Sequence, residues 1–124
     1  MTKIKYRVWD EKENRYRCGE EVMLDCEGTL LWCSFGEETL NNDDFEIEQW
    51  TGRCDINGTE IYENDVVSFR RVNGGKKGVV TFKDLMWMIS GYMMYGITEN
   101  NMHVLGNIHE NPELIANKSR GRIL

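Results

Sequence analysis

The stretch Val66-Val67-Ser68-Phe69-Arg70-Arg71-Val72-Asn73-Gly74-Gly75-Lys76-Lys77-Gly78-Val79-Val80-Thr81-Phe82 decides the fold. Val67 and Phe69 fall on one side of an extended chain, because side chains alternate across a strand. Asn73-Gly74-Gly75-Lys76 supplies turn residues that close a hairpin onto a second strand from Gly78 to Phe82. The unit so defined is a strand, a tight turn and a returning strand.

The same pattern extends in both directions. Near the start, Ile4, Tyr6 and Val8 share one face while Lys3, Lys5 and Arg7 share the other, so this is a half-buried strand. Asp10 to Asn14 makes a charged turn, and Tyr16–Leu24 and Thr29–Phe35 read as two further strands parted by Asp25 to Gly28. An acidic stretch follows, with Glu37, Glu38, Asp43, Asp44, Glu46 and Glu48. It reads as a solvated face whose first half is long enough for one helical turn. Phe45 to Trp50 alternates as a strand that ends at Thr51-Gly52.

Asp55-Ile56-Asn57-Gly58 carries an Asn-Gly pair, the favoured filling where two residues need positive φ. Asn64, in the turn Glu60–Asp65, is suited to a left-handed backbone. Lys83-Asp84 turns the chain again, Met86 to Ile97 supplies one or two strands, and Met102 to Ile108 supplies the last. Asn111-Pro112-Glu113 places an N-cap residue, then proline, then an acid. That predicts a short helix from Pro112 to about Asn117, followed by a basic tail with Lys118, Arg120 and Arg122. The expected fold is mainly β, with antiparallel strands curling into a small barrel and a short C-terminal helix. Residues 1–48 form an N-terminal β region, 49–117 the barrel and 118–124 the tail.

Composition bounds the function. With 124 residues, 40% hydrophobic and 29% charged, the chain has the size and apolar content of one folded domain, and disorder is excluded. The 21 acids against 15 Lys and Arg give a net charge of −6, which opposes non-specific nucleic-acid binding unless the cations cluster. The first ten residues alternate charge with apolar side chains and offer no signal peptide. The longest uncharged stretch, Leu85 to Ile97, falls short of the roughly 20 residues that cross a bilayer. A cytoplasmic protein without membrane contact is expected. Cys18, Cys26, Cys33 and Cys54 match no zinc spacing and read as reduced thiols, so no metal and no cofactor are expected.

Three segments then carry a resemblance. The run Trp50-Thr51-Gly52-Arg53-Cys54-Asp55-Ile56-Asn57-Gly58-Thr59-Glu60-Ile61-Tyr62-Glu63-Asn64-Asp65-Val66-Val67 resembles the signature of the YopX family of phage and prophage proteins. Gly106-Asn107-Ile108-His109-Glu110-Asn111-Pro112-Glu113-Leu114 is similar to the family's C-terminal signature, and Ile4 to Asp10 to its opening strand. Two departures stand out: Trp50 replaces the family's tyrosine, and Asn64 replaces a glycine. Asparagine is the least costly substitute at positive φ, so the turn is kept. The resemblance implies a small all-β protein with an SH3-like barrel in the second half and a phage or prophage setting. It carries no biochemical activity and no catalytic residues.

The chemistry-bearing residues are few. His103 and His109 are six apart and would share a side of one continuous strand, but the strand should end near Ile108, and no third ligand is recognisable. No local motif supports a Cys–His nucleophile. Gly74 to Gly78 lacks P-loop spacing and opens no helix. The chain is therefore expected not to be an enzyme. Met86, Trp87, Met88, Tyr92, Met93, Met94 and Tyr95 make an adaptable apolar surface of the kind used against protein partners. The expected function is a protein-interaction module that engages a host or phage protein or a second copy. The alternative is nucleic-acid binding through the hairpin Arg70 to Gly78, with Arg70, Arg71, Lys76 and Lys77.

Overall fold

The structure, a computed structural model, describes residues 5–17, 21–32, 42–71 and 74–115. It divides into two compact units, one up to Gln49 and one from Trp50 onward. In the first, β1 (Tyr6–Asp10) lies between β2 (Arg15–Arg17) and the first half of β5 (Phe45–Cys54), antiparallel to both. β3 (Val22–Leu24) and β4 (Leu30–Trp32) pair as a separate hairpin. The strand expected over Tyr16–Leu24 is thus two strands with different partners, one extending β1 and one answering β4. Val8, Val22 and Leu30 are buried, with Tyr6, Leu24, Phe45 and Ile47 packed around them.

Charge is also buried in this unit, and it is partnered. Glu48 is fully buried and accepts from Arg7 Nε at 2.7 Å and from the Tyr16 hydroxyl at 2.9 Å. The Arg7 guanidinium also lies 4.6 Å from the Tyr16 ring centre, a cation–π contact. Asp10 accepts from the backbone N–H groups of Lys12 and Glu13 at 3.0 and 3.1 Å and from Arg17 Nε at 2.9 Å. Burial alone would raise the Asp10 carboxyl, but these donors and the Arg17 charge together hold it below the usual carboxylate range.

In the second unit the other half of β5 pairs with β6 (Glu60–Tyr62) across a bulge between Trp50 and Cys54. Gly52, at φ 89°, sits in that bulge, so the strand expected to stop at Thr51-Gly52 runs on to Cys54. β7 (Asp65–Arg71), β8 (Gly74–Lys83), β9 (Met86–Ile89), β10 (Tyr92–Met93) and β11 (Met102–Asn107) form an antiparallel sheet in the order β10-β9-β8-β7-β11. Its outer strands β10 and β11 do not pair with each other, so by hydrogen bonding it is half of a barrel. One face buries Ile61, Val67, Phe69, Val80, Ile89, Met94, Ile97 and Met102, each side chain contributing about 1.5–3 kcal/mol for the larger ones.

The turns differ instructively from expectation. At Asn57-Gly58 only Gly58 has positive φ, at 81°. Gly58 N–H donates to the Asp55 carbonyl at 3.0 Å and Asp55 N–H to the Thr59 carbonyl at 2.9 Å, a type I turn closed by a glycine bulge. The cause is the Asp55 carboxylate, whose Oδ1 accepts from Asn57 and Thr59 N–H at 2.9 Å each. Asp25-Cys26-Glu27-Gly28-Thr29 repeats the same construction in the first unit, with Gly28 at φ 86°. Primed two-residue turns instead fall at Asp84-Leu85 (φ 53° and 65°) and Ser90-Gly91 (φ 50° and 88°). Asn64 takes φ 72° as expected, donating to the Val80 carbonyl and accepting from Ile108 N–H.

Beyond β11 the chain turns on Asn107. Its Oδ1 accepts from His109 and Glu110 N–H at 3.0 and 2.8 Å, while its own N–H donates to Asn111 Oδ1 at 3.2 Å. A Cβ at Gly106 would overlap that Asn111 side chain, so glycine is required there for close approach. Glu113–Ile115 are helical, with Leu114 and Ile115 N–H bonded to the Asn111 and Pro112 carbonyls. The expected continuation to Asn117 and the basic tail lie outside the described residues.

Asp55 is buried and its Oδ2 also accepts from Val104 N–H at 2.9 Å. Burial opposes its ionisation, but the three N–H donors outweigh that and hold its pKa below the usual value. A depressed carboxylate contributes stability that is complete above the unfolded value of about 4 and is lost as pH falls through the folded value. Asp55→Asn should therefore lower stability at pH 7 by about 2–4 kcal/mol and flatten the acid limb below pH 4, as read by urea unfolding at several pH values. An acid limb as steep as that of the parent protein would contradict this assignment.

Candidate functional site

β8 carries a different surface at each of its ends. At its C-terminal end the pairs Val80↔Ile89 and Phe82↔Trp87 share a face, since directly opposed residues lie on one side of a sheet. Val80 and Ile89 are core, whereas Phe82 is half exposed and meets Trp87 edge-on at 5.0 Å. The core face thus runs past the core into solvent. At the tip Leu85 is 90% exposed, and Met86, Met93 and Tyr95 are exposed as well. Met86, Trp87, Met93, Met94 and Tyr95, with Thr51 and Arg53, line a depression of about 420 Å³. Arg53 is already engaged: its two terminal nitrogens donate to the Met94 and Ile97 carbonyls at 2.6 and 2.5 Å and fix the 3-10 turn Met94–Gly96.

Of the seven residues read from the sequence as a partner surface, the structure divides the set. Met86, Met93 and Tyr95 are exposed, Met88 is half-buried, and Trp87 and Tyr92 pack part-buried against the core. Met94 is a core residue. The alternating pattern breaks at the 3-10 turn, which carries Met94 inward, and no strand periodicity could place it correctly. Phe82 on the core face and Leu85 at the turn are further exposed apolar residues of this hairpin, and both were missed. The available signal was an apolar residue where a two-residue turn calls for Asn or Gly.

At the other end of β8, Arg70, Arg71, Lys76 and Lys77 come together around the hairpin end, with residues 72 and 73 outside the described set. Register separates them into two pairs. Lys76 opposes Phe69 and so lies on the face of Phe69 and Arg71, whereas Lys77 opposes Ser68 and lies on the face of Arg70. Tyr92 confirms this division: the Arg71 guanidinium stands 4.6 Å and the Lys76 ammonium 5.9 Å from its ring centre.

The histidines go to different elements. His103 lies on β11 opposite Ser68 and is exposed, while His109 sits in the turn after Asn107. A register shift between Val104 and Gly106 also breaks the alternation that would have aligned them. Cys26 is an exposed free thiol and Cys54 a half-buried one; Cys18 and Cys33 lie outside the described residues. Among the described residues, no helix is long and apolar enough to cross a membrane.

Known proteins share this fold. The chain is similar to the crystal structure of protein EF1440 from Enterococcus faecalis, with a TM-score of 0.64 at 21% identity over 92% of this chain and 99% of that one. It is also similar to the crystal structure of protein yopX from Bacillus subtilis, with a TM-score of 0.56 at 18% identity over 88% of this chain and 95% of that one. At such identities the likeness speaks for the fold. No curated protein matches the chain. The family model described as YopX protein matches residues 5–116, and the chain belongs to the YopX family.

Proposed function

We propose that the chain is a non-enzymatic protein-interaction module, an accessory protein of a phage or prophage that works in the host cytoplasm and engages a host or phage protein through the tip of the β8–β9 hairpin. The observation that carries this reading is Leu85, which is 90% exposed at φ 65°. A left-handed backbone costs a residue with a side chain about 1–2 kcal/mol, and leucine has no polar group to compensate locally, as Asn or Asp has. Folding gains nothing from an apolar side chain left in water, whereas burying Leu85 against a second surface would offset the cost of its place in the turn. Exposed Phe82 on one face of the hairpin and Met86 and Met93 on the other, with Tyr95, add rings and flexible thioethers that adapt to a partner. Beside Lys83 and Asp84 the exposed side chains of the tip are mainly apolar, which supports binding over catalysis. The SH3-like barrel implied by the resemblance is part of the same reading, since the half-barrel sheet holds the hairpin at its rim.

Leu85→Asn should leave stability unchanged or raise it by about 0.5–1 kcal/mol, because asparagine tolerates the left-handed region better. The same variant should abolish capture of the partner when the tagged full chain is drawn from nuclease-treated host lysate and compared by mass spectrometry. An unchanged set of captured proteins would remove this reading. Sedimentation of the two forms tests a second copy as the partner: an association lost in Leu85→Asn identifies self-pairing.

The buried and exposed methionines should separate sharply. Met94→Ala should cost about 2–5 kcal/mol in urea unfolding, whereas Met93→Ala should stay within about 0.5 kcal/mol. Equal losses at the two sites would contradict the inward turn at Met94.

A further inference from the structure

The apolar tip and the basic hairpin end lie at opposite ends of β8, with Lys77 and Phe82 five residues or about 17 Å of strand apart. The basic end therefore asks for a ligand of its own. We propose that it is a binding site for single-stranded nucleic acid, gripped by Arg70, Arg71, Lys76 and Lys77 with the Arg71–Tyr92 stack as a platform for bases.

Three observations support this. The first is the absence of acid. Depressions of about 610, 460 and 370 Å³ adjoin the hairpin end, sharing Arg70, Lys76, Lys77 and Asn101 among their walls. Among the described residues no carboxylate lines any of them, in a chain with 21 acids and a net charge of −6. Among the described residues, Arg70, Arg71 and Lys76 take part in no ion pair, so their charge is available to an anion.

The second is the platform. Bases splayed from a single strand stack on aromatic rings and on arginine guanidinium planes. Here the two are already assembled, with Arg71 over the Tyr92 ring at 4.6 Å and Tyr92 braced edge-on by buried Phe69 at 5.5 Å. A platform packed on the core is preorganised, and little side-chain freedom is lost when a base settles on it.

The third is the disposition of charge and polarity. The cations point to both faces of a two-stranded ribbon, two to each. A flexible strand can follow cations on both faces of such a ribbon. Asn57 and Asn101, on the groove walls, carry side-chain amides that both donate and accept, as base edges require. An acidic peptide would use the charges and leave the stacking platform idle.

The test is fluorescence anisotropy of the full chain with a labelled 20-mer of deoxythymidine, a 20-mer of uridine, a 20-base-pair duplex and a 20-residue polyglutamate. Both single strands should bind at 50 mM salt, more tightly than duplex or polyglutamate. Plots of log affinity against log salt should fall with a slope near −3 when four cations each neutralise a phosphate, at about 0.7 per contact. Arg70→Ala with Lys77→Ala should reduce that slope by about 1.4, and Arg71→Glu with Lys76→Glu should weaken binding at least tenfold. Arg71→Lys keeps the charge and removes the plane, so it should weaken binding several-fold with the slope unchanged. All of these positions are on the hairpin surface, and melting curves verify that the variants fold. Absence of binding to either single strand at 50 mM salt would overturn the proposal, as would tighter binding of duplex. Binding of polyglutamate equal to that of the single strands would overturn it in favour of an acidic protein. Leu85→Asn should bind the single strands normally, so failure here and failure at the apolar tip are read separately.

Discussion

The second unit depends on one carboxylate. Asp55 is buried, and it is kept ionised by three backbone N–H groups drawn from two places, Asn57 and Thr59 in its own turn and Val104 on β11. Each bond to a charged acceptor is stronger than one between neutral groups, and an orphaned buried N–H is costly. The side chain therefore does two jobs with one desolvation cost. It selects the geometry of the turn between β5 and β6, and it fastens that turn to a strand nearly fifty residues later in the chain. The Ile56 N–H bond to the Met102 carbonyl completes the join.

A comparison of the two matching turns makes the point sharper. Asp25 in the first unit builds the same turn through the same two kinds of bond, yet it is exposed and, among the described residues, its carboxylate bonds stay within its own hairpin. Local chemistry is thus sufficient for the turn itself. What Asp55 adds is the second oxygen, used across the sheet, and with it a long-range constraint that a turn motif alone cannot announce. The first unit solves the corresponding problem with ion pairs, Arg7 to Glu48 and Arg17 to Asp10, each reinforced by further donors.

Much of this was legible in the residues. Alternation located β1, the start of β5, β7, the second half of β8 and β11, because each has one buried face and a period of two, whereas Gly74–Lys76, read as turn, is strand. Asn64 and the close of β11 were legible from turn chemistry. The divided strand at Arg15–Arg17 and Val22–Leu24 was not, since pairing partners lie outside any local window. Nor was the inward turn of Met94, whose neighbours in sequence are exposed. The cations at Arg70, Arg71, Lys76 and Lys77 were recognisable as a group, but their division between two faces needed the register. Leu85 was passed over because an apolar residue reads as strand, and only the backbone angle reveals it as strained.

The turn at Asp55 also bears on how copies of this protein can accumulate. A sheet grows from molecule to molecule only where a strand leaves its outward N–H and C=O groups unclaimed, and a fibre needs two such borders on every subunit. On β11 the Met102 carbonyl and the Val104 N–H, both facing outward, are claimed within the same chain. The opposite border is β10, only two residues long before the 3-10 turn bends the chain away. At these two borders the sheet therefore offers an added strand few outward groups, which limits edge-to-edge pairing there.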